Sequence, residues 1–277
     1  MKTIVTHLSV DLDCITAAWL VRRFFPEWDE ADIVFTPQQV NWEEVVPDSN
    51  PNILYLDTGF GKFDHHQLQE YTSATKLIYK YLLSQGLVEE KNVEALKRLV
   101  SLVNELDHFA ECFYTDASSD RWDLSLVQQV GALKQSLGDD RKVMEIVFTL
   151  LDAHLQLFKN KVKAEKEIKE GYVFESKWGK TLIMNTRNDE ALRLAQKLGF
   201  QLVAIKDPEK GGIRIKTPPK KELDLTPLYE KIMKKDRKGT WFLHVGKNML
   251  LNGSSKKPDQ VPSPLTLQQL IEIIKEL

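Results

Sequence analysis

Apolar runs and helical stretches alternate along the first half of the chain. Thr3-Ile4-Val5 and Ile53-Leu54-Tyr55-Leu56 read as buried strands, with Ile33-Val34-Phe35 between them as another. Residues 14–25 (Cys-Ile-Thr-Ala-Ala-Trp-Leu-Val-Arg-Arg-Phe-Phe) predict the first helix, stopped by Pro26, so a β-α-β unit opens the chain. Residues 72–85 predict an amphipathic helix ended by Gly86, and residues 92–106 a third that delivers Asp107 at its end. Such alternation argues for a parallel sheet in an α/β fold. Residues 139–169 carry one long helical pattern, with Val143, Ile146, Val147, Leu150, Leu151, Leu155, Leu157 and Phe158 on its apolar positions, and end in a Lys/Glu-rich stretch. Beyond Gly171, strands are predicted at 172–174, 181–184, 202–205, 213–216 and 241–244, with a helix at 189–198. The expected organisation is a first domain at 1–138, a helical connector at 139–170 and a smaller α/β domain at 171–277.

Composition narrows the class. The chain has 277 residues, 42% hydrophobic and 28% charged, enough to bury a substantial core and too apolar for disorder. Two scattered cysteines, Cys14 and Cys112, make neither a disulfide framework nor a thiolate zinc motif, which favours a reducing compartment. No apolar run approaches the ~18 residues of a membrane helix, and the N-terminus has no apolar leader segment, so a cytoplasmic protein is expected. The net charge of −2 conceals a division: residues 1–170 hold 18 Lys and Arg against 28 Asp and Glu (−10), and residues 171–277 hold 20 against 12 (+8). A basic second domain beside an acidic first one suits a polyanionic partner.

Chemistry concentrates at the predicted strand ends. His7-x-x-x-Asp11-x-Asp13 follows the first strand, and Asp57-Thr58-Gly59 and then Asp64-His65-His66 follow the third. Open α/β sheets carry their active sites at that edge. A lone Asp-x-Asp after a strand is commonly a turn or a helix N-cap. Three His and Asp clusters together are harder to assign to capping, because converging carboxylates either raise a pKa or require a cation. Carboxylates and imidazoles without thiolates suit Mn²⁺, or Mg²⁺ or Co²⁺, rather than a closed zinc site. A pair of such ions supports phosphoryl hydrolysis.

These motifs resemble the DHH phosphoesterase superfamily. Thr6 to Asp13 is similar to its first motif, Asp64-His65-His66 to its name-giving triplet, and Asp107 in Glu105-Leu106-Asp107-His108 to its last metal-binding aspartate. The resemblance implies a parallel-sheet catalytic domain with helices on both faces. It implies that His7, Asp11 and Asp57 hold one ion and that Asp13, Asp57, His65 and Asp107 hold the other. It also gives His66 as a phosphate contact and Asp64 as the acceptor orienting the triplet. The first motif departs from the usual Asn-Pro-Asp-x-Asp-Ala-x-Gly-Ser, with Ser9-Val10 for Asn-Pro and Cys14 to Ala18 after the second aspartate. The short Asp57 to Asp64 spacing, Phe63 to Gln67 and Thr72-Ser73-Ala74 resemble a branch of metal-dependent exonucleases more than the pyrophosphatases. DHH-related proteins often pair, which leaves a homodimer open.

The second half resembles, weakly, the substrate-binding domain that often follows a DHH domain. Arg214, Lys216, His244 and Lys247 are its candidate phosphate contacts, with Asn252-Gly253-Ser254 as a backbone cradle. Asn252-Gly253 also reads as a hairpin turn, Lys234 to Lys238 as a solvated loop, and His108 and His154 as ordinary helical residues. The expectation is a Mn²⁺-dependent phosphodiesterase acting on single-stranded nucleic acid ends or short oligonucleotides, with no membrane partner. The alternatives are a pyrophosphatase or small-nucleotide phosphohydrolase and a nucleotide sensor without turnover.

Overall fold

The computed structural model describes residues 1–38, 40–253 and 259–277, and the chain divides into two compact units, Met1–Lys159 and Asn160–Leu277. Among the described residues there are eight α-helices and two sheets, a parallel three-stranded one and a mixed six-stranded one. None of these helices is long and apolar enough to cross a membrane.

In the first unit, β1 (Thr3–His7) is central, flanked in parallel by β2 (Asp32–Thr36) and β3 (Ile53–Tyr55). Its apolar runs make buried strands, and parallel pairing brings the carboxyl ends of all three to one edge. The first helix, α1 (Leu12–Phe24), begins two residues before the expected start because Asp11 caps it: Asp11 Oδ1 accepts from Cys14 N at 3.0 Å, and Cys14 Sγ accepts from Asp11 N at 3.3 Å. A cap of this kind is worth ~1 kcal/mol. Residues Leu12 to Val21 of α1 are all buried, so helix and cap are locked by the core. The next helices, α2 (Ala74–Ser84) and α3 (Glu90–Asp107), pack on α1 and on each other through Ile78, Leu82, Leu96, Leu99 and Val103. α4 (Leu126–Leu137) stops at Gly138, whose left-handed backbone terminates it.

The long α5 (Asp140–Glu170) is continuous, and the division between the units falls inside it. Val143, Val147 and Leu151 belong to the first unit's core, Ala164 and Ile168 to the second's.

The second unit holds β4 (Tyr172–Ser176), β5 (Gly179–Asn185), β6 (Leu202–Lys206), β7 (Ile213–Lys216), β8 (Trp241–Leu243) and β9 (Met249–Asn252), in sheet order β4-β5-β6-β7-β9-β8. Among the described residues of this sheet only β5 and β6 run parallel, joined by α6 (Asp189–Lys197). Leu182, Met184, Val203 and Ile205 pack toward α6 and the end of α5, while Ile183, Ala204, Ile213, Ile215 and Leu250 pack toward α7 (Thr226–Lys235) and α8 (Leu267–Lys275). The sheet is larger than expected because Met249 to Asn252 forms a strand. The hairpin joining it to β8 turns at His244 to Met249, not at Asn252-Gly253: His244 N donates to Met249 O at 2.9 Å and Lys247 N to His244 O at 2.7 Å. Lys234 and Lys235 close α7 instead of lying in a loop.

Candidate metal centre

Four elements of the first unit bring their ends together. β1 supplies His7, the start of α1 supplies Asp11 and Asp13, the segment after β3 supplies Asp57, His65 and His66, and α3 ends on Asp107. His7 Nε2 lies 3.6 Å from Asp11 Oδ2 and 3.4 Å from Asp57 Oδ2. His65 Nε2 lies 3.1 Å from Asp57 Oδ1, 3.7 Å from Asp107 Oδ2 and 3.9 Å from Asp13 Oδ2. Asp57 therefore turns one oxygen to each histidine, and the cluster has two lobes that share it.

Each carboxylate is held by its own device. Asp11 divides its oxygens between the cap and His7, so one side chain both caps α1 and faces the cluster. Asp13 is 2% exposed and accepts from Ala74 N (2.7 Å) and Thr75 N (3.0 Å), the free N–H groups at the start of α2. Asp57 has a left-handed backbone (φ 58), unusual outside glycine, and Gly59 and Phe60 follow with φ 79 and 57. At Gly59 glycine is required, since a Cβ there would lie 2.8 Å from the Tyr55 ring. Asp57 N donates to Phe63 O at 3.1 Å, closing the tight loop that delivers Asp64.

The charges are mutually adjusted. Burial alone would raise Asp57, yet hydrogen bonding and charge from His65 and His7 hold it down at about 2. Burial would lower His7, but Asp57 and Asp11 lift it to about 9; His65 is also raised to about 9, chiefly by Asp57 and against burial. Burial, with the charges of Asp57, Asp107 and Asp11, pushes Asp13 upward. Burial brings Asp107 to about 6, with His65 opposing and Asp57 and Asp11 adding. Protons thus occupy the place where cationic charge is needed. The donors fit divalent ions: His7, Asp11, Cys14 and Asp57 each offer an atom within 4.8 Å of one another, as do Asp57, His65 and His66 and, in a third group, Asp13, His65 and Asp107.

Around the lobes, Asp64 is buried, accepts from Phe60 N at 2.7 Å, and holds His66 Nδ1 at 2.7 Å. His66 Nε2 faces Gln38 Nε2 at 3.1 Å, and its ring lies 4.6 Å from that of His65. Three further residues adjoin the cluster. Cys14, which abuts the first motif in sequence, is buried in the core and also joins the His7, Asp11 and Asp57 group, with burial and the charges of Asp11 and Asp57 keeping its thiol protonated. His108, next to Asp107, donates Nδ1 to Asn104 O at 2.7 Å, sits 3.7 Å from Asp107 Oδ2 and stacks on Tyr71 at 4.1 Å. Ser9, with φ 61, donates N–H to Asp140 Oδ2 at 2.8 Å and accepts from Lys134 Nζ at 3.0 Å, pinning the loop that carries Asp11. Adjacency in sequence signals Cys14 and His108, whereas nothing local signals Asp140. His154 bonds its own helix at Leu150 O.

The candidate residues of the second unit separate. Arg214 pairs with Ile205 and Leu251 in register, and Leu251 with Phe242, so Arg214, Lys216 and the Phe242 side of β8 share one sheet face. The guanidinium of Arg214 is bound to Asp189. His244 follows on β8, its ring 6.4 Å from Phe242, and its Nδ1 accepts from Gly246 N. Lys247 lies in the hairpin turn, paired with Asp224 at 3.1 Å. Asn252 faces the opposite side, buried, its amide donating to Thr240 O and Val261 O and its oxygen accepting from Ser263 N. Those partners occupy its hydrogen-bonding groups, and Gly253 packs against Gly212. Ser254 lies outside the described residues.

No family model matches the chain, and no curated protein matches it.

Proposed function

We propose that this protein is a phosphodiesterase of the DHH type, dependent on Mn²⁺, that acts on single-stranded nucleic acid ends or short oligonucleotides. The observation that carries this reading is Asp57, buried, left-handed in backbone, and turning one oxygen to His7 at 3.4 Å and the other to His65 at 3.1 Å. His7, Asp11 and Asp57 are the proposed ligands of one ion; Asp13, Asp57, His65 and Asp107 those of the other. When bound, such a pair makes hydroxide available near neutral pH and offsets charge developing on a phosphoryl group. The donor set, oxygen and imidazole in both lobes, suits Mn²⁺, with Mg²⁺ and Co²⁺ as weaker fits.

The remaining roles belong to the chain itself. Four clustered aspartates repel a phosphate unless cations intervene, so the site discriminates between loaded and empty states. Asp64 fixes the imidazole of His66, the proposed phosphate contact, and the rigid loop from Asp57 to Asp64 keeps ligand and contact in register. Arg214, Lys216 and His244 are the proposed contacts of the second unit. The test is product analysis with metal-stripped protein resupplied with Mn²⁺, using end-labelled single-stranded RNA and DNA ladders, a dinucleotide and pyrophosphate. Stepwise mononucleotide release supports the proposal. Phosphate from pyrophosphate alone moves the protein to the pyrophosphatases, and binding without product makes it a sensor.

A further inference from the structure

We propose that Cys14 makes the first lobe of the cluster a site for a thiophilic ion, taking Zn²⁺ through its sulfur together with His7, Asp11 and Asp57. The proposal rests on the metal-centre reading and adds to it a difference between the lobes. Among the described residues, only the group containing His7 includes a sulfur; neither group built on His65 does.

The four side chains offer one imidazole nitrogen, two carboxylate oxygens and one sulfur, all within 4.8 Å of one another. Around a tetrahedral zinc ion, with bonds of about 2.0–2.3 Å, neighbouring ligand atoms stand about 3.5 Å apart. His7 Nε2 already stands 3.6 Å from Asp11 Oδ2 and 3.4 Å from Asp57 Oδ2, so three of the four donors are at that spacing around His7. Four donors of these types are the number and the kind that zinc recruits.

The sulfur is held beside the lobe by the first turn of α1. It accepts from Asp11 N at 3.3 Å and lies 3.5 Å from Asp11 O. A thiol is a weak acceptor and a weak donor, so these contacts are given up at little cost. Helix α1 stays capped meanwhile, because Asp11 Oδ1 accepts from Cys14 N while Oδ2 faces His7. Cys14 is buried, whereas the Asp11 side chain is 50% exposed and stands at the entrance to the lobe. A bare divalent ion is smaller than a water molecule, so a sulfur closed to water still meets an ion held between His7, Asp11 and Asp57. On ligation the S–H bond breaks, the sulfur lone pair goes to the ion and the proton leaves to solvent. Mn²⁺ favours oxygen and leaves the thiol in its cap; Zn²⁺ accepts thiolate readily. Cys14 thus sets which ion the first lobe prefers.

The test uses the full-length, metal-stripped Cys112→Ser protein, in which Cys14 carries the one remaining thiol. With one equivalent of Zn²⁺, X-ray absorption at the zinc edge should show a sulfur neighbour at about 2.3 Å. Co²⁺ should give a sulfur-to-metal charge-transfer band in the near ultraviolet that Zn²⁺ displaces. Cys14→Ser in the same background should lose that band. Its preference for Zn²⁺ over Mn²⁺, measured by competition with a chromophoric chelator, should fall at least about tenfold, the least that loss of a supporting partner costs. A zinc shell of nitrogen and oxygen alone overturns the proposal, and that measurement needs no substitution at Cys14, so it holds whether or not Cys14→Ser folds. A charge-transfer band that survives in a folded Cys14→Ser overturns it as well. Sulfur ligation in a protein that hydrolyses no phosphodiester with Mn²⁺ would support the thiophilic lobe and overturn the phosphodiesterase reading alone. Mn²⁺-dependent hydrolysis without sulfur ligation of Zn²⁺ would do the reverse.

Discussion

Two buried aspartates, one in each unit, show how the same group serves opposite ends. Asp57 in the first unit and Asp236 in the second are 1% and 2% exposed. Asp236 fills its oxygens with four donors: Lys238 N at 3.0 Å, Gly239 N at 2.8 Å, the Trp241 indole at 2.8 Å and Ser263 Oγ at 2.6 Å. Those bonds outweigh burial and hold its carboxyl below the usual range. Asp57 has no such set; its two oxygens face the imidazoles of His65 and His7 instead, and its neighbours include Asp11, Asp13 and Asp107. A carboxylate surrounded by donors is a structural anchor, whereas one surrounded by carboxylates and histidines could hold a metal ion.

The sharpest way to break that contrast is to remove each in turn. Asp57→Asn should keep a native far-UV circular dichroism spectrum and a cooperative melt, yet lose the rise in Tm with Mn²⁺ and more than about 100-fold of hydrolysis, beyond what loss of a supporting outer partner costs. Asp236→Ala should do the reverse. Four buried donors lose their acceptor, so stability falls by about 3–5 kcal/mol in denaturant titration, while hydrolysis below the melting range and the Mn²⁺ response remain. Equal effects of the two substitutions on Mn²⁺ binding would erase the distinction.

A smaller effect comes from pH. In the metal-free protein His7 and His65 are raised to about 9, so their contribution to stability is full below their unfolded value near 6.5 and is lost as pH rises through about 9. Asp107, raised to about 6, and Asp13, raised by burial and like charge, act with the same sign, losing stability as pH rises. Asp57, lowered to about 2, contributes above its unfolded value and changes nothing between pH 6 and 9. The metal-free first unit should therefore weaken over pH 6 to 9, while Mn²⁺, which needs those ligands deprotonated, should bind more tightly. The Tm gain from saturating Mn²⁺ is expected to grow across this window; a gain that is flat or shrinks would mean that the histidines are not ligands.

The contrast between the aspartates also explains what could be read from the chain. Asp57 and the triplet were legible because they follow an apolar strand and sit among other ligand-type residues, and the strands and helices of the β-α-β region are carried by long apolar periods. Asp236 was not. It lies in Lys234-Lys235-Asp236-Arg237-Lys238, a run whose composition reads as solvated, and its burial depends on Trp241 and Ser263 folding over it. β9 was obscured because Asn252-Gly253 looks like a turn, while the actual turn relies on Lys247 at φ 56, a position glycine would normally mark. Helix α8 did carry local signals, a Thr266 and Gln269 capping box ahead of Leu270, Ile271, Ile273 and Ile274, but no chemistry drew attention to them. Cys14 shows a different limit: local sequence places it beside Asp13, but only geometry shows that its thiol completes the cap of Asp11.

The smallest expected effect tests whether the cluster depends on contacts remote in sequence. Ser9 is held in a left-handed backbone by Asp140 at the start of α5 and by Lys134 near the end of α4, and Ser9 stands between His7 and Asp11. Neither contact touches a ligand atom, so both act by fixing the path of the loop. Asp140→Ala removes the acceptor from the Ser9 N–H and lets the loop relax, spreading His7 and Asp11 over more positions; Mn²⁺ affinity should fall by about tenfold, the lower range for loss of a supporting partner. Asp140→Asn keeps an acceptor oxygen at that position and should recover most of the loss. Calorimetric titration with Mn²⁺ distinguishes this from general destabilisation, because a merely weaker fold lowers Tm without changing the dissociation constant at 15 °C. An unchanged constant in Asp140→Ala would show that β1 and α1 alone set the geometry, and that the strain at Ser9 is a feature of the loop itself.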